Sequence, residues 1–161
     1  MILCGGVGNG KTHLAISIMK TLPKFPHLAT QFNDSIYGRK SINNYRRANC
    51  LFLPFNRFQD ELEDARQNGT KDRLMHRYLA NDMVCLDDLR FEDTTPANRK
   101  NIFTLINGLT EKGKKILVTT NDTYDEILKF DERMADRLRH NGKVVALKIN
   151  SYRDFNPQEV K

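Results

Sequence analysis

Gly5, Gly6, Val7, Gly8, Asn9, Gly10, Lys11 and Thr12 spell GxxxxGKT, a spacing built for a polyphosphate. Gly5, Gly8 and Gly10 let the backbone turn so that its N–H groups point inward at phosphate oxygens. Lys11 can then reach the outer phosphates, and the Thr12 hydroxyl is placed to ligate Mg²⁺. The expected ligand is a nucleoside triphosphate.

Two further groups have the right chemistry for such a ligand. The apolar run Met83 to Leu86 ends in Asp87-Asp88, and a strand that ends in two carboxylates can set one acid against the Mg²⁺ and another beside the attacking water. On that reading Asp87 holds the metal and Asp88 orients or deprotonates the water; without the glycine loop the same pair would serve as ordinary turn formers. A second apolar run, Ile116 to Val118, leads through Thr119-Thr120 to Asn121. A neutral amide at the carboxyl end of a strand can hydrogen-bond both the γ-phosphate and the water.

A fourth group is cationic. Arg133 and Arg137 are four apart and share one helix face, while Met134 and Leu138 form the adjacent stripe that packs inward. Two fixed guanidinium groups could reach a phosphate held by a neighbouring subunit, or they could simply be a solvated basic face.

These residues need strands and helices to place them. The pattern predicts a strand over 1–4, the glycine loop, and a helix from Thr12 until Pro23, carried by Leu14, Ala15, Ile18, Met19 and Leu22. A polar stretch from Pro23 to Asn49 follows, longer than an ordinary connection. Further strands are expected over 50–55, 83–86, 116–118 and 143–149. Helices are expected over 57–67, 71–79, from Thr95-Pro96 to near Gly113, 123–129 and 131–139. Five strands alternating with helices imply an α/β fold, a parallel sheet with helices on both faces.

Composition narrows the class. At 161 residues, 39% hydrophobic and 29% charged, the chain reads as one soluble domain. It has no membrane-length apolar run and no signal-like segment before the glycine loop, so the expected location is cytoplasmic, with no membrane partner. Cys4, Cys50 and Cys85 each lie in or beside an apolar run without paired spacing, as reduced buried thiols would.

The net charge of +6 sits entirely at the front, where residues 1–50 hold seven Lys or Arg and one acid, Asp34. Arg39, Lys40, Arg46 and Arg47 cluster there with Tyr37 and Tyr45 interleaved. That composition suits a surface that tracks a nucleic-acid backbone and stacks bases, and it equally suits a solvated loop.

Taken together, the chain resembles the ATPase domain of bacterial and phage replicative helicase loaders of the DnaC/DnaI type, within the AAA+ superfamily. The matching residues are Gly5 to Thr12 followed by His13-Leu14-Ala15, then Val84 to Leu89, Thr119 to Asn121, Arg133 to Leu138, and Asn150 to Arg153. The resemblance implies a P-loop AAA+ core without a helical lid domain, spanning 1–161 as a single domain. It implies ATP and Mg²⁺ as cofactors, ATP hydrolysis, a replicative helicase and single-stranded DNA as partners, and head-to-tail self-association. By position it makes Asn121 the first sensor, Arg137 the arginine finger acting across a subunit boundary, Arg133 an auxiliary arginine, and Arg153 the second sensor. It also places Lys71, Arg73 and Arg77, on the helix pair after the second strand, as candidate DNA-phosphate contacts.

The departures carry expectations of their own. Relatives usually have Glu where Asp88 stands, and a carboxylate withdrawn by ~1.5 Å can cost about 10²-fold in rate, so hydrolysis is expected to be slow. Arg90 stands where a glycine commonly follows. The chain begins four residues before Gly5, so the usual amino-terminal helicase-binding domain is expected to be absent, as in a trimmed fragment or a minimal loader. A transposition helper ATPase shares this core. A nucleotide-switched binding module and a small nucleotide kinase are the alternatives from other classes.

Overall fold

The computed structural model describes residues 1–21, 48–91, 94–140 and 142–148. Strands β1 (Ile2–Cys4), β2 (Cys50–Pro54), β3 (Met83–Asp87), β4 (Lys115–Thr120) and β5 (Val144–Ala146) form a single sheet in the order β2-β3-β4-β1-β5. Every pairing is parallel. Helices α1 (Lys11–Thr21), α2 (Phe55–Gln67), α3 (Lys71–Leu79), α4 (Pro96–Glu111), α5 (Tyr124–Phe130) and α6 (Glu132–His140) connect them. The expected α/β architecture is therefore present, with helices on both faces.

Side chains alternate across a strand, and that period divides the core. Leu3, Met83, Cys85 and Leu117 face Ala15 and Met19 of α1. Ile2, Cys4, Leu53, Val84, Leu86, Ile116 and Val118 face the larger cluster, which gathers buried residues from α2 to α6. β3 lies inside the sheet between β2 and β4, and all of Met83 to Asp87 is buried, the continuous burial of a strand covered on both faces.

The helix ends follow local chemistry. Thr95 caps α4 by accepting from the Asn98 N–H at 3.2 Å, with Pro96 at the first helical position. Thr123 and Glu126 form a reciprocal capping box on α5. Gly113, at φ 62°, ends α4 through a Lys114 N–H to Leu109 carbonyl bond of 2.8 Å.

Several boundaries differ from the sequence reading, among them β4, which runs over Lys115–Thr120 where 116–118 was expected. α2 starts at Phe55, because Pro54 closes β2 and takes the extended geometry (φ −57°, ψ 141°) that precedes a helix. β5 is three residues long, and among the described residues it is a short edge strand paired with β1 alone, at Ile2–Val144 through Cys4–Ala146.

Candidate nucleotide site

Five polar or charged side chains are buried among the described residues: Lys11, Asp87, Thr94, Thr119 and Thr120. Four of them belong to the glycine loop and to the carboxyl ends of β3 and β4. Buried polar groups demand partners, and here Asp87 and Thr119 bond to each other, Lys11 to the loop carbonyls and Asn121, and Thr120 to Asp122.

The glycine loop crosses from β1 to α1 with positive φ at Gly5 (149°), Gly8 (84°) and Gly10 (75°). Gly5 is also sterically obligatory, since a Cβ there would lie 2.6 Å from the Leu147 carbonyl oxygen. Asn9 pins the loop to that carbonyl through its side-chain amide, at 2.9 Å. The Lys11 ammonium, only 8% exposed, donates to the carbonyls of Gly5 and Gly6, each at 2.7 Å, and to Asn121 Oδ1 at 2.8 Å. Burial pushes its pKa down, while the charges of Asp88 and Asp87 pull it back up.

Thr12 and Asp87 converge as expected. The Thr12 hydroxyl lies 3.0 and 3.2 Å from the two Asp87 carboxylate oxygens. These are hard oxygen donors, and a Mg²⁺ site typically takes one or two carboxylates together with substrate phosphates. Among the described residues no cluster of three His, Cys, Asp or Glu side chains could hold a metal by itself.

Thr119 belongs to this cluster although the sequence reading gave it no role of its own, assigning one only to Asn121 two positions later. Its hydroxyl is fully buried; it donates to Asp87 Oδ1 at 2.7 Å and accepts from the Asp88 N–H at 2.8 Å. Its carbonyl accepts from the Leu89 N–H at 2.9 Å. One residue thus fixes the metal-side carboxylate and the turn that follows it. That turn needs fixing, because Asp88 has φ 55°, a left-handed conformation that Asp tolerates better than most residues. The signal available in the sequence was a hydroxyl residue in a strand beside an acid-terminated strand. Asp88 itself is about half exposed (51%), with Arg90 3.2 Å from its carboxylate.

Arg133 and Arg137 lie elsewhere, on the exposed side of α6, whose Met134, Ala135 and Leu138 are buried beneath. Arg137 Nε donates to Asn107 Oδ1 of α4 at 3.1 Å, and the Arg133 guanidinium lies 5.2 Å from the Phe103 ring centre. Phe103, Tyr124, Arg133, Asp136, Arg137 and Arg139 help line a cavity of about 420 Å³ here. No hydrogen bond among the described residues joins these arginines to the glycine loop.

Of the three cations expected on the helix pair, Arg77 has an intramolecular partner. Its guanidinium is ion-paired with Glu61 of α2, and the same carboxylate accepts from Arg57 Nε at 2.6 Å and from the Tyr78 hydroxyl at 2.8 Å. Residues 55–79 hold five basic and five acidic residues, so α2 and α3 together carry no net charge. Lys71 and Arg73 remain exposed on α3. Arg39, Lys40, Arg46, Arg47 and Arg153 lie outside the described residues.

A family model for the IstB-like ATP binding protein matches residues 27–159. The chain belongs to that family. The match begins downstream of the glycine loop, so the loop and the family assignment are separate observations that agree. This IstB-like chain is 26% identical over 137 residues to the chromosomal replication initiator protein DnaA of Gloeobacter violaceus, covering 85% of the chain and 27% of that protein. It spans about a quarter of the length of the curated relatives it matches.

Among solved structures, AMPPCP-bound DnaA from Aquifex aeolicus superposes with a TM-score of 0.71 at 19% identity, over 93% of this chain and 40% of that one. The DnaC helicase loader superposes with a TM-score of 0.70 at 17% identity, over 92% and 77%. The fold of this IstB-like ATP-binding domain is that of the AAA+ P-loop domains of DnaA and DnaC. Among the described residues, no helix is long and apolar enough to cross a membrane.

Proposed function

We propose that the chain is a helicase loader-like ATPase of DNA replication, which binds ATP with Mg²⁺ and hydrolyses it to ADP and phosphate. It couples the bound nucleotide to a replicative helicase and to single-stranded DNA. The observation that carries this reading is the convergence of two hydrogen-bonded pairs, Lys11 with Asn121 and Thr12 with Asp87, at the carboxyl ends of β3 and β4. Ligands of open α/β sheets bind at such strand ends.

In this reading the loop N–H groups and Lys11 hold the β- and γ-phosphates, and Asn121, already bonded to Lys11, faces the γ-phosphate. Thr12 and Asp87 would hold Mg²⁺, which when bound neutralises phosphate charge. Asp88 accepts a proton from the water whose oxygen attacks the γ-phosphorus, and the bond to the β–γ bridging oxygen breaks to release ADP. Arg137 of a second copy, assembled head to tail, stabilises the charge on the transferred group, with Arg133 beside it and Arg153 as the second sensor. Residues 1–161 act as a single AAA+ domain in the cytoplasm.

Light-scattering mass, with and without a non-hydrolysable ATP analogue and single-stranded DNA, tests assembly and both ligands together; phosphate release tests turnover. The reading predicts an ATP-dependent rise in mass, enhanced by DNA, with release of phosphate. Assembly without phosphate release would instead support a nucleotide-switched module, for which the short carboxylate of Asp88 is suited. Phosphoryl transfer to a small acceptor would support a kinase. Assembly on a transposase in place of a helicase would identify a transposition helper.

A further inference from the structure

The outer stripe of α4 carries Phe103, Asn107 and Glu111 at four-residue spacing, and such residues stand one above another on a helix face. Arg133 and Arg137 of α6 have the same spacing. The two stripes are in register: Arg133 lies over the Phe103 ring at 5.2 Å, and Arg137 Nε donates to Asn107 Oδ1 at 3.1 Å. Each arginine therefore rests on its own residue of α4.

The Asn107 amide is itself oriented. Its Nδ2 donates to Glu111 Oε1 at 2.7 Å, so turning the amide over would break that bond and set an NH₂ group against the guanidinium. The chain Glu111–Asn107–Arg137 thus runs from acceptor to donor in one direction only. Holding a guanidinium by Nε leaves its two Nη groups, the pair that grips an anion in a bidentate fork. Among the described residues neither Nη of Arg137 forms a hydrogen bond. Buried Met134, Ala135 and Leu138 fix the helix beneath.

We infer that Asn107 is a positioning residue for catalysis in trans: it holds Arg137 so that its two terminal nitrogens face the triphosphate on a second copy of the chain. This rests on the head-to-tail reading above. Arg137 acts on the neighbour's phosphate, whereas Asn107 acts only through Arg137. A side chain aimed before the ligand arrives need not search for its geometry, and a misplacement of about 1 Å can cost about 10²-fold in rate.

The test uses the asymmetry of a shared site. In a mixture of Lys11→Ala and Arg137→Ala full-length chains, the intact nucleotide sites belong to the Arg137→Ala chains and the arginines come from the Lys11→Ala chains. Asn107→Ala placed in the Lys11→Ala chain should lower the rescued kcat by about 10²-fold with KM for ATP unchanged. The same substitution placed in the Arg137→Ala chain should leave rescue as it was, because no arginine is there to position. Asn107→Asp combined with Glu111→Gln in the Lys11→Ala chain keeps the acceptor for Nε and reverses the orienting bond, the Gln amide donating to the other Asp oxygen, and should restore most of the rate.

Equal losses in the two arrangements, or no loss in either, would overturn the positioning role while leaving catalysis in trans intact. Normal turnover by Arg137→Ala alone, failure of the two parent variants to rescue each other, or a wild-type chain that releases no phosphate would overturn catalysis in trans and the positioning role with it.

Discussion

Replacing Thr119 by Val removes a hydroxyl and leaves the shape of the side chain nearly unchanged, in a strand that favours β-branched residues. Two bonds disappear. The first is to a carboxylate, Asp87 Oδ1 at 2.7 Å, and a hydrogen bond to a charged group is worth ~1.5–3 kcal/mol. The second leaves the Asp88 N–H without its acceptor at 2.8 Å; with the Asp88 side chain half exposed, water can answer part of that loss, so the lower end of the usual range, about 1 kcal/mol, applies. The expected destabilisation is about 3 kcal/mol, equivalent to roughly 6–12 °C in Tm for a domain of this size. Thr119→Ser keeps both bonds and removes one buried methyl, for about 1 kcal/mol. Urea denaturation of the three proteins measures these differences. The Val variant should also bind Mg²⁺-ATP about tenfold more weakly, because Asp87 loses the partner that orients it. Equal losses in the Val and Ser variants, or a Val variant within 1 kcal/mol of wild type as an approximate bound, would refute the reasoning that Thr119 clamps the acid-bearing turn.

Other substitutions probe the same account. Asp88→Asn, which also tolerates the left-handed backbone, should fold normally and bind ATP as before while phosphate release falls, and an unchanged kcat would remove Asp88 from the chemistry. Gly5→Ala forces a Cβ to within 2.6 Å of the Leu147 carbonyl at φ 149°; it should cost roughly 1–3 kcal/mol by thermal melting and weaken ATP binding, whereas a wild-type Tm would show that the loop can adjust. Burial alone would raise the Glu61 carboxyl, but hydrogen bonds from Tyr78 and Arg57 and the charges of Arg77 and Arg57 outweigh it and hold the pKa below the usual carboxylate value. A carboxyl lowered in the folded state adds stability above its unfolded pKa, ~4.3, and that stability is lost as pH falls through the folded value. Glu61→Gln should therefore lower Tm at pH 7 by a margin that shrinks as pH falls below ~4.3, and a difference independent of pH would contradict the assigned cause.

What the sequence made legible was local chemistry. GxxxxGKT, the acid-terminated strand, Asn121 and the capping residues Thr95 and Thr123 each announce their role within a few positions, and the structure brings Lys11, Thr12, Asp87 and Asn121 together. What it hid depends on strand order. β3 pairs with β4 so that Leu86 stands opposite Val118, which brings Thr119 of β4 beside Asp87 of β3, and no periodicity reports that register. Asn107 is likewise an unremarkable polar residue until α6 is laid beside α4. The Arg77–Glu61 ion pair was hidden because charge is read along the chain, whereas Glu61 lies 16 residues earlier on another helix. The family assignment and the fold likeness add the class of protein, and the residues that do the work come from the geometry.

The central claim is that Lys11 and its neighbours form an ATP site, and calorimetric titration of ATP into wild-type and Lys11→Ala protein, each with and without Mg²⁺, tests it most directly. Lys11 is the first residue of α1 and among the described residues its ammonium bonds only to the loop carbonyls and Asn121, so removing it leaves the hydrophobic core untouched and the variant should keep the wild-type circular-dichroism spectrum. Wild-type protein should bind ATP, more tightly with Mg²⁺ than without, and Lys11→Ala should show no measurable binding under either condition. Equal ATP affinity in the two proteins, with both folded, would contradict the account.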